Sequence, residues 1–393
     1  MLSIALTCFT LLTGIFGAYF FLIIKSPRKS EYLHAIDEAM SRSLQGSELP
    51  KISILIPAYN EEKVVEAKLR DVAAMQYPRD KLEVLLIDDS STDGTCAIAE
   101  RVLRELALPG KIIKDLERIG VNGCYNRGVQ ESTGDLLVTT DADVMVDHDG
   151  LISSVKILSA FTNVGGVTAT MVPVYSSSTA SVRTERSYRD FYNTMLVAES
   201  ALYSTFPGHG EFTLLRKSAF APMPVGYGSS DGNISLAIMR KGLRLLCVPT
   251  VSFYEPIATS LGEQMRQKTR RAARVIQSGW ANRDMLFKRE YEDFGVIVFP
   301  LRFLMMTICP PLFFLGCVAF VVATACVSVY LAFSVIFVAL LGLILVSIVK
   351  MDRLSLLHSL VVHECYLMLG LLQSVRKRGV WRPVQRSLIT GRA

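Results

Sequence analysis

The chain has 393 residues, half of them hydrophobic, and 42 Lys and Arg against 36 Asp and Glu give a net charge of +6. That modest excess gives no reason to expect a nucleic-acid partner, and the absence of a Gly-x-Gly-x-x-Gly or Walker-type loop argues against a dehydrogenase or a P-loop ATPase. The eight cysteines form no Cys-x-x-Cys pair and four of them sit in apolar segments, which fits reduced thiols better than a disulfide or zinc framework.

The apolar residues gather at the two ends of the chain. Met1 to Ile24 carries no charged side chain, and about 20 apolar residues suffice for a helix to span the hydrocarbon core of a bilayer. A cleaved signal peptide would want a basic start and a shorter apolar run. Here the positive charges follow the run, at Lys25, Arg28 and Lys29. A retained anchor is therefore expected, with the chain after Lys25 on the cytoplasmic side.

From Lys51 to Arg289 the composition is that of a soluble domain. Ile52 to Ile56 is a short β-branched run closed by Pro57, a buried strand by pattern. Glu61 to Met75 has helical periodicity, with Val64, Val65, Leu69, Val72 and Ala73 on one side. Val84 to Ile87 is the next strand, Thr95 to Leu106 the next helix, and Leu136 to Thr139 a third strand. This alternation predicts an α/β domain with a mostly parallel sheet, whose ligand crevice lies beyond the carboxyl ends of the strands.

Polar clusters stand at those ends. Pro57-Ala58-Tyr59-Asn60-Glu61 follows the first strand, Asp88-Asp89-Ser90-Ser91 the second, and Asp141-Ala142-Asp143 the third. On an extended segment Asp141 and Asp143 share a face, and two hard oxygen ligands leave a divalent ion open to diphosphate oxygens and water. Asp88 and Asp89 precede Ser91, Thr92 and Asp93, any of which serves equally as a helix cap. Asp231 lies in Gly228-Ser229-Ser230-Asp231-Gly232-Asn233, just before a helical pattern from Ile234 to Lys241, and a capping role competes with a chemical one there as well.

Gln267, Arg270, Arg271 and Arg274 recur on one helical face, in a stretch from Gln264 to Gln277 with five basic residues and no acidic one. Such a helix suits anionic headgroups or, through its planar guanidinium forks, a diphosphate. Val296 to Val349 is apolar except for Arg302 and long enough for two crossings, with breaks expected at Pro310-Pro311 and Ser328 to Tyr330. Leu354 to Leu372 is apolar but holds His358, His363 and Glu364, and the tail turns basic at Arg376, Lys377, Arg378, Arg382 and Arg386. A cytoplasmic basic tail favours a two-crossing hairpin with Leu354 to Leu372 lying on the membrane; a third crossing is the alternative.

Taken in order, these clusters resemble glycosyltransferase family 2, the inverting GT-A-type membrane synthases, over nearly the whole chain. Ile56-Pro57-Ala58-Tyr59-Asn60-Glu61 looks like the family's opening strand, and Ile87 to Thr95 like its nucleotide-associated motif. Thr140-Asp141-Ala142-Asp143 resembles its metal and diphosphate motif, and Ser230-Asp231 sits where the family carries its catalytic base. Gln267-Lys268-Thr269-Arg270-Arg271 resembles the Gln-x-x-Arg-Trp motif, and Trp381-Arg382-Pro383 the usual tail. The chain departs from the pattern at Ser230, where an acid is common, at Arg271, which replaces the tryptophan, and at Val121, where many members place a lysine.

The resemblance implies a GT-A-type, Rossmann-like mixed sheet between transmembrane helices. The expected organisation is an anchor over 1–25, a linker over 26–50 and the transferase domain over 51–290, with an amphipathic interface helix region at 264–290. A membrane hairpin over 291–350 and a membrane-associated helix with a basic cytoplasmic tail over 351–393 would follow. It implies a cell-membrane, multi-pass enzyme with a cytoplasmic catalytic domain, moving a sugar from a nucleotide-diphosphate sugar to a lipid-linked or membrane glycan acceptor in the synthesis of cell-surface polysaccharide or glycoconjugates. Asp231 would be the base; Asp141 and Asp143 would hold Mg2+ or Mn2+. Pro57, Tyr59, Glu61, Asp88, Asp89, Asp141, Gln267, Arg270 and Arg271 would contact the donor, and His209-Gly210-Glu211 could line the acceptor cleft. Membrane lipids are the other expected partner. The alternatives are a polyprenyl-phosphate sugar synthase, a non-catalytic membrane scaffold on the same fold, and a nucleotidyltransferase; the last has no evident need of a basic helix joined to a membrane hairpin.

Overall fold

The computed structural model describes residues 1–42, 49–174, 180–256, 261–348 and 352–375. In chain order the first elements are α1 (Leu2–Tyr19), α2 (Arg28–Ser41), β1 (Ile52–Ala58), α3 (Val65–Ala74), β2 (Leu82–Asp88), α4 (Thr95–Glu105), β3 (Gly110–Lys114) and α5 (Gly120–Glu131). There follow β4 (Leu136–Thr140), β5 (Met145–Val146), α6 (Gly150–Ala160), β6 (Val164–Val174), α7 (Ala180–Leu202), β7 (Phe212–Arg216), α8 (Ser230–Arg240) and β8 (Arg244–Pro256). The remaining helices are α9 (Leu261–Ala281), α10 (Phe299–Thr307), α11 (Cys309–Val327), α12 (Val329–Ile348) and α13 (Asp352–Ser374). Two compact units form. The sheet unit comprises Pro27–Val174 and Leu196–Ile257; the helical unit comprises Met1–Ser26, Tyr175–Met195 and Ala258–Arg376.

In the sheet unit, eight strands run in the order β3-β2-β1-β4-β7-β6-β8-β5. β1 pairs in parallel with both β2 and β4, and β2 in parallel with β3. Strands so placed are covered on both faces, which is why β1, β2 and β4 read as continuous apolar runs. β7 then enters antiparallel between β4 and β6. Beyond it β6 and β8 pair in parallel and β5 closes antiparallel on β8. The sheet is therefore mixed but mostly parallel, as expected, with β7 and β5 the reversed strands.

One face of the sheet is packed by a core that includes Leu55, Ile87, Tyr125, Leu137, Leu215, Ile234 and Ile238. Cys124 and Tyr125 bring α5 into it, and Ile234 and Ile238 bring α8. α5 can lie close because Gly128 presents no side chain: a Cβ there would meet Ile87 Cδ1 at 3.0 Å and Leu55 Cδ2 at 3.2 Å. α3 buries Val65, Leu69 and Val72, the expected apolar stripe.

In the helical unit, α1 packs on α11, where a Cβ on Gly316 would stand 3.2 Å from Cys8 Cβ. α13 packs on α9 closely enough that a Cβ on Gly370 would lie 2.6 Å from Ala272 Cβ. Arg302, the one charge in its apolar stretch, is 6% exposed. Its Nη2 donates to Tyr192 Oη at 3.3 Å, with the guanidinium 5.2 Å from that ring's centroid. Among the described residues two helical segments, Leu2–Ile24 and Cys309–Val327, are long and apolar enough to cross a membrane. The end of the expected hairpin at Val349, the basic tail from Arg376 and Trp381-Arg382-Pro383 lie outside the described residues.

Gly134 leads into β4 where no side chain fits: an added Cβ would come 2.6 Å from Ser53 N and 2.8 Å from Ser53 Oγ. Gly134→Ala is expected to destabilise the sheet unit by about 1–3 kcal/mol, read as a lower midpoint in a denaturation curve. An unchanged midpoint would contradict this packing.

Candidate active site

The parallel register sets Ala58 beside Asp88, so the loops after β1 and β2 leave the sheet side by side. Each loop then supplies what the other's backbone lacks. Asn60 N–H donates to Ser91 Oγ (2.9 Å), Glu61 N–H to Thr95 Oγ1 (2.8 Å) and Glu62 N–H to Asp93 Oδ2 (3.2 Å). In return Thr92 N–H donates to Asn60 Oδ1 at 2.8 Å and Gly94 N–H to Glu62 Oε2 at 3.1 Å. These bonds account for a helix that starts at Val65, later than periodicity alone suggests, because residues 60–62 are drawn into the neighbouring loop. Asp93 Oδ1 also accepts from Thr95 N–H at 3.0 Å, the local capping role open to it from the sequence.

Asp88 and Asp89 are both 4% exposed. Asp88 accepts from Ser91 N–H at 3.2 Å. Asp89 holds the start of α5, accepting from Ile119 N–H at 2.6 Å and Gly120 N–H at 3.1 Å. A carboxylate suits the partial positive charge of a helix N-terminus. Asp89 also pairs with Arg118 at 3.4 Å, and the Arg118 guanidinium lies 3.4 Å from the centroid of the Tyr59 ring. Arg118 carries no local signal in the sequence, because its importance comes from a stacking contact that only the fold creates.

Asp141 and Asp143 follow β4 in a turn held from beneath by α3. Lys68 on that helix is 0% exposed. Its Nζ donates to Thr140 Oγ1 at 2.8 Å and to the Val144 carbonyl at 2.7 Å. Burial pulls the Lys68 ammonium below its ordinary pKa, while the carboxylates of Asp71, Asp141 and Asp143 push it back up. Lys68 was also unforeseen: within an amphipathic helical pattern a lysine reads as solvated.

Asp231 lies in the first turn of α8. Ser229 is the N-cap residue, its Oγ accepting from Gly232 N–H at 3.2 Å, while Asp231 Oδ1 accepts from the same N–H at 2.7 Å. The loop His209-Gly210-Glu211 runs beside it, since a Cβ on Gly210 would lie 3.3 Å from Asp231 Cβ. His209 and Glu211 are buried at 3% and 4% exposure, with His209 Nδ1 3.7 Å from Glu211 Oε2.

Between these elements stands Tyr125, 1% exposed, whose hydroxyl has no hydrogen-bond partner among the described residues. Burial raises its pKa well above the ordinary tyrosine value, and the negative charges of Asp141, Glu211 and Asp231 raise it further. Among the described residues no three His, Cys, Asp or Glu side chains form a ready-made metal cage. Asp141 and Asp143 lie in a turn rather than on the extended segment expected from the sequence; two hard carboxylates of this kind would suit a divalent cation that also takes diphosphate oxygens and water.

Residues 53–222 match the family model described as glycosyl transferase family 2. This segment is a family 2 glycosyltransferase domain. The family 2 domain carries the Tyr59, Asp88-Asp89 and Asp141-Asp143 clusters; Asp231 lies just past the matched segment. The chain is 36% identical over 98 residues to the probable glycosyltransferase YdaM of Bacillus subtilis, 24% of this chain and 23% of that protein. It is 25% identical over 229 residues to poly-beta-1,6-N-acetyl-D-glucosamine synthase of Staphylococcus aureus, 57% of this chain and 54% of that one. The chain thus spans about a quarter to about half the length of these curated relatives. In fold it is similar to the mannosyltransferase PcManGT of Pyrobaculum calidifontis, solved with GDP-Man and Mn2+. The TM-score is 0.72 at 24% identity, covering 95% of this chain and 99% of that one. The GT-A-type mixed α/β fold expected from the sequence is the one found.

Gln267, Arg270 and Arg271 belong to the helical unit, half-buried on α9. Between them Lys268 pairs with Glu185 of α7. Burial pushes the Glu185 carboxyl up, but Arg189 and Lys268 outweigh it and hold its pKa at about 2.

The bonds at Asp89 give a direct test. Asp89→Ala leaves Ile119 N–H and Gly120 N–H without their acceptor and is expected to cost about 1–3 kcal/mol of stability. Chemical denaturation measures it, and no loss would contradict the carboxylate's hold on α5.

Proposed function

We propose that this chain is a membrane-bound inverting glycosyltransferase that moves a sugar from a nucleotide-diphosphate sugar to a lipid-linked or membrane glycan acceptor. The observation that carries the reading is the Asp141–Asp143 pair at the end of β4, at the same sheet edge as the loops after β1 and β2, within a segment that matches the family 2 model. Glycosyltransferase relatives and the fold shared with a mannosyltransferase solved with GDP-Man and Mn2+ support it. The apolar helices Leu2–Ile24 and Cys309–Val327 support a membrane location, with outward side chains such as Phe21 and Val318 exposed.

Tyr59, with Arg118 stacked on one face, and Glu61, Asp88 and Asp89 hold the base and ribose. Pro57 shapes the strand end that carries them. A divalent cation on Asp141 and Asp143, Mg2+ or Mn2+, supplies charge neutralisation for the diphosphate when bound. Arg270, with Gln267 and Arg271, offers donors that suit the same developing charge. Asp231 accepts the proton of the acceptor hydroxyl as that oxygen bonds to the anomeric carbon and the nucleoside diphosphate leaves. A single base serving a single displacement gives inversion.

The base assignment is tested by Asp231→Asn, which keeps shape and capping ability while losing the base. Transfer is expected to fall by roughly 10²–10⁴-fold with nucleotide-sugar binding retained, measured by product formation and calorimetry. Near-normal transfer would move the role to Glu211. For α9, Arg270→Ala is expected to slow transfer far more than Arg274→Ala, with both variants still in the membrane fraction. Equal small losses would favour contact with headgroups.

A further inference from the structure

Lys68 and Asp71 are the two charged side chains that α3 turns toward the segment after β4. They stand three residues apart, on one face of the helix. Lys68 Nζ bridges the turn, bonding Thr140 Oγ1 before Asp141 and the Val144 carbonyl after Asp143. Asp71, 7% exposed, accepts from Val146 N–H at 3.1 Å, where the chain enters β5. The five residues from Thr140 to Val144 are therefore closed by one ammonium group, and the exit is fixed by one carboxylate.

We propose that Lys68 and Asp71 are positioning residues for the Asp141–Asp143 pair, fixing the spacing of its carboxylates before a divalent cation and a diphosphate arrive. A charge buried at 0% exposure is costly unless its hydrogen bonds are made. Its place beneath two carboxylates is where that cost has a return in geometry. Preorganised ligands need not be gathered from a flexible loop, and loss of a group that holds them typically weakens metal binding by about 10–100-fold. The proposal rests on the reading of Asp141 and Asp143 as metal ligands.

The test is Mn2+ uptake by the purified full chain in detergent, followed by the loss of the free-ion EPR signal with no donor present. Lys68→Met is expected to weaken Mn2+ binding about 10-fold or more. Thr140→Val, which leaves Lys68 and its bond to Val144 in place, is expected to weaken it by a smaller factor, and Thr140→Ser, which keeps the hydroxyl, to restore it. If Lys68→Met does not fold, the Thr140 pair carries the test. Wild-type Mn2+ affinity in folded Lys68→Met, or no difference between Thr140→Val and Thr140→Ser, overturns the positioning role while leaving the metal site intact. The control is the double variant Asp141→Asn with Asp143→Asn, expected to lose Mn2+ uptake. If it binds as the wild type does, or if the wild type takes up none, the metal site falls and the positioning role with it.

Discussion

Parallel pairing of β1 with both β2 and β4 is the constraint on which the site depends. Three adjacent strands pointing the same way must release their loops at the same edge, and those loops carry backbone N–H groups that no strand satisfies. Polar side chains there have structural work before any chemistry. Asn60, Asp93 and Thr95 tie the first two loops together, Asp89 holds the start of α5, and Lys68 closes the third loop. The first two loops are thus each other's hydrogen-bonding partner, and the third is held by helix α3.

The same rim is electrostatically divided. Toward Tyr59 the Asp89 carboxylate is matched by Arg118 and by a helix N-terminus, and the Arg118 guanidinium lies against an aromatic ring. In the loop after β4 stand Asp141 and Asp143, and Asp231 and Glu211 lie on the neighbouring start of α8 and entry to β7. A carboxylate pair such as Asp141 and Asp143 favours a cation, whereas an aromatic ring such as Tyr59 suits a nucleobase. A nucleotide-diphosphate sugar has this polarity, with its base at one end, its charge in the middle and its reacting carbon beyond.

β1, β2 and β4 were legible because each is buried on both faces and so reads as an unbroken apolar run closed by polar residues; the exposed edge strand β3 was not. Asp88, Asp89, Asp141 and Asp231 could be picked out by their places at strand and helix ends, although capping explains part of that placing, as at Asp89 and Asp231. The second half was not legible. β7 enters antiparallel between β4 and β6, and nothing local in Phe212–Arg216 specifies its direction. Lys68 was hidden by its own helix, since an amphipathic pattern assigns a lysine to solvent whereas the turn after β4 draws this one inward. Arg118 and Tyr125 owe their roles to contacts across long stretches of chain, which periodicity does not reach. On α9, Lys268 sits inside a motif-like run of donors yet pairs with Glu185, a partner from another helix.

The central claim is that the carboxylate end of this rim receives the diphosphate and the reacting carbon of a nucleotide sugar. The most direct measurement supplies purified chain and membranes with a panel of nucleotide sugars and identifies the released nucleotide by chromatography. The account predicts a nucleoside diphosphate from one donor class, formed with the sugar transferred to membrane material. Release of a nucleoside monophosphate, or no release from any donor, would contradict it.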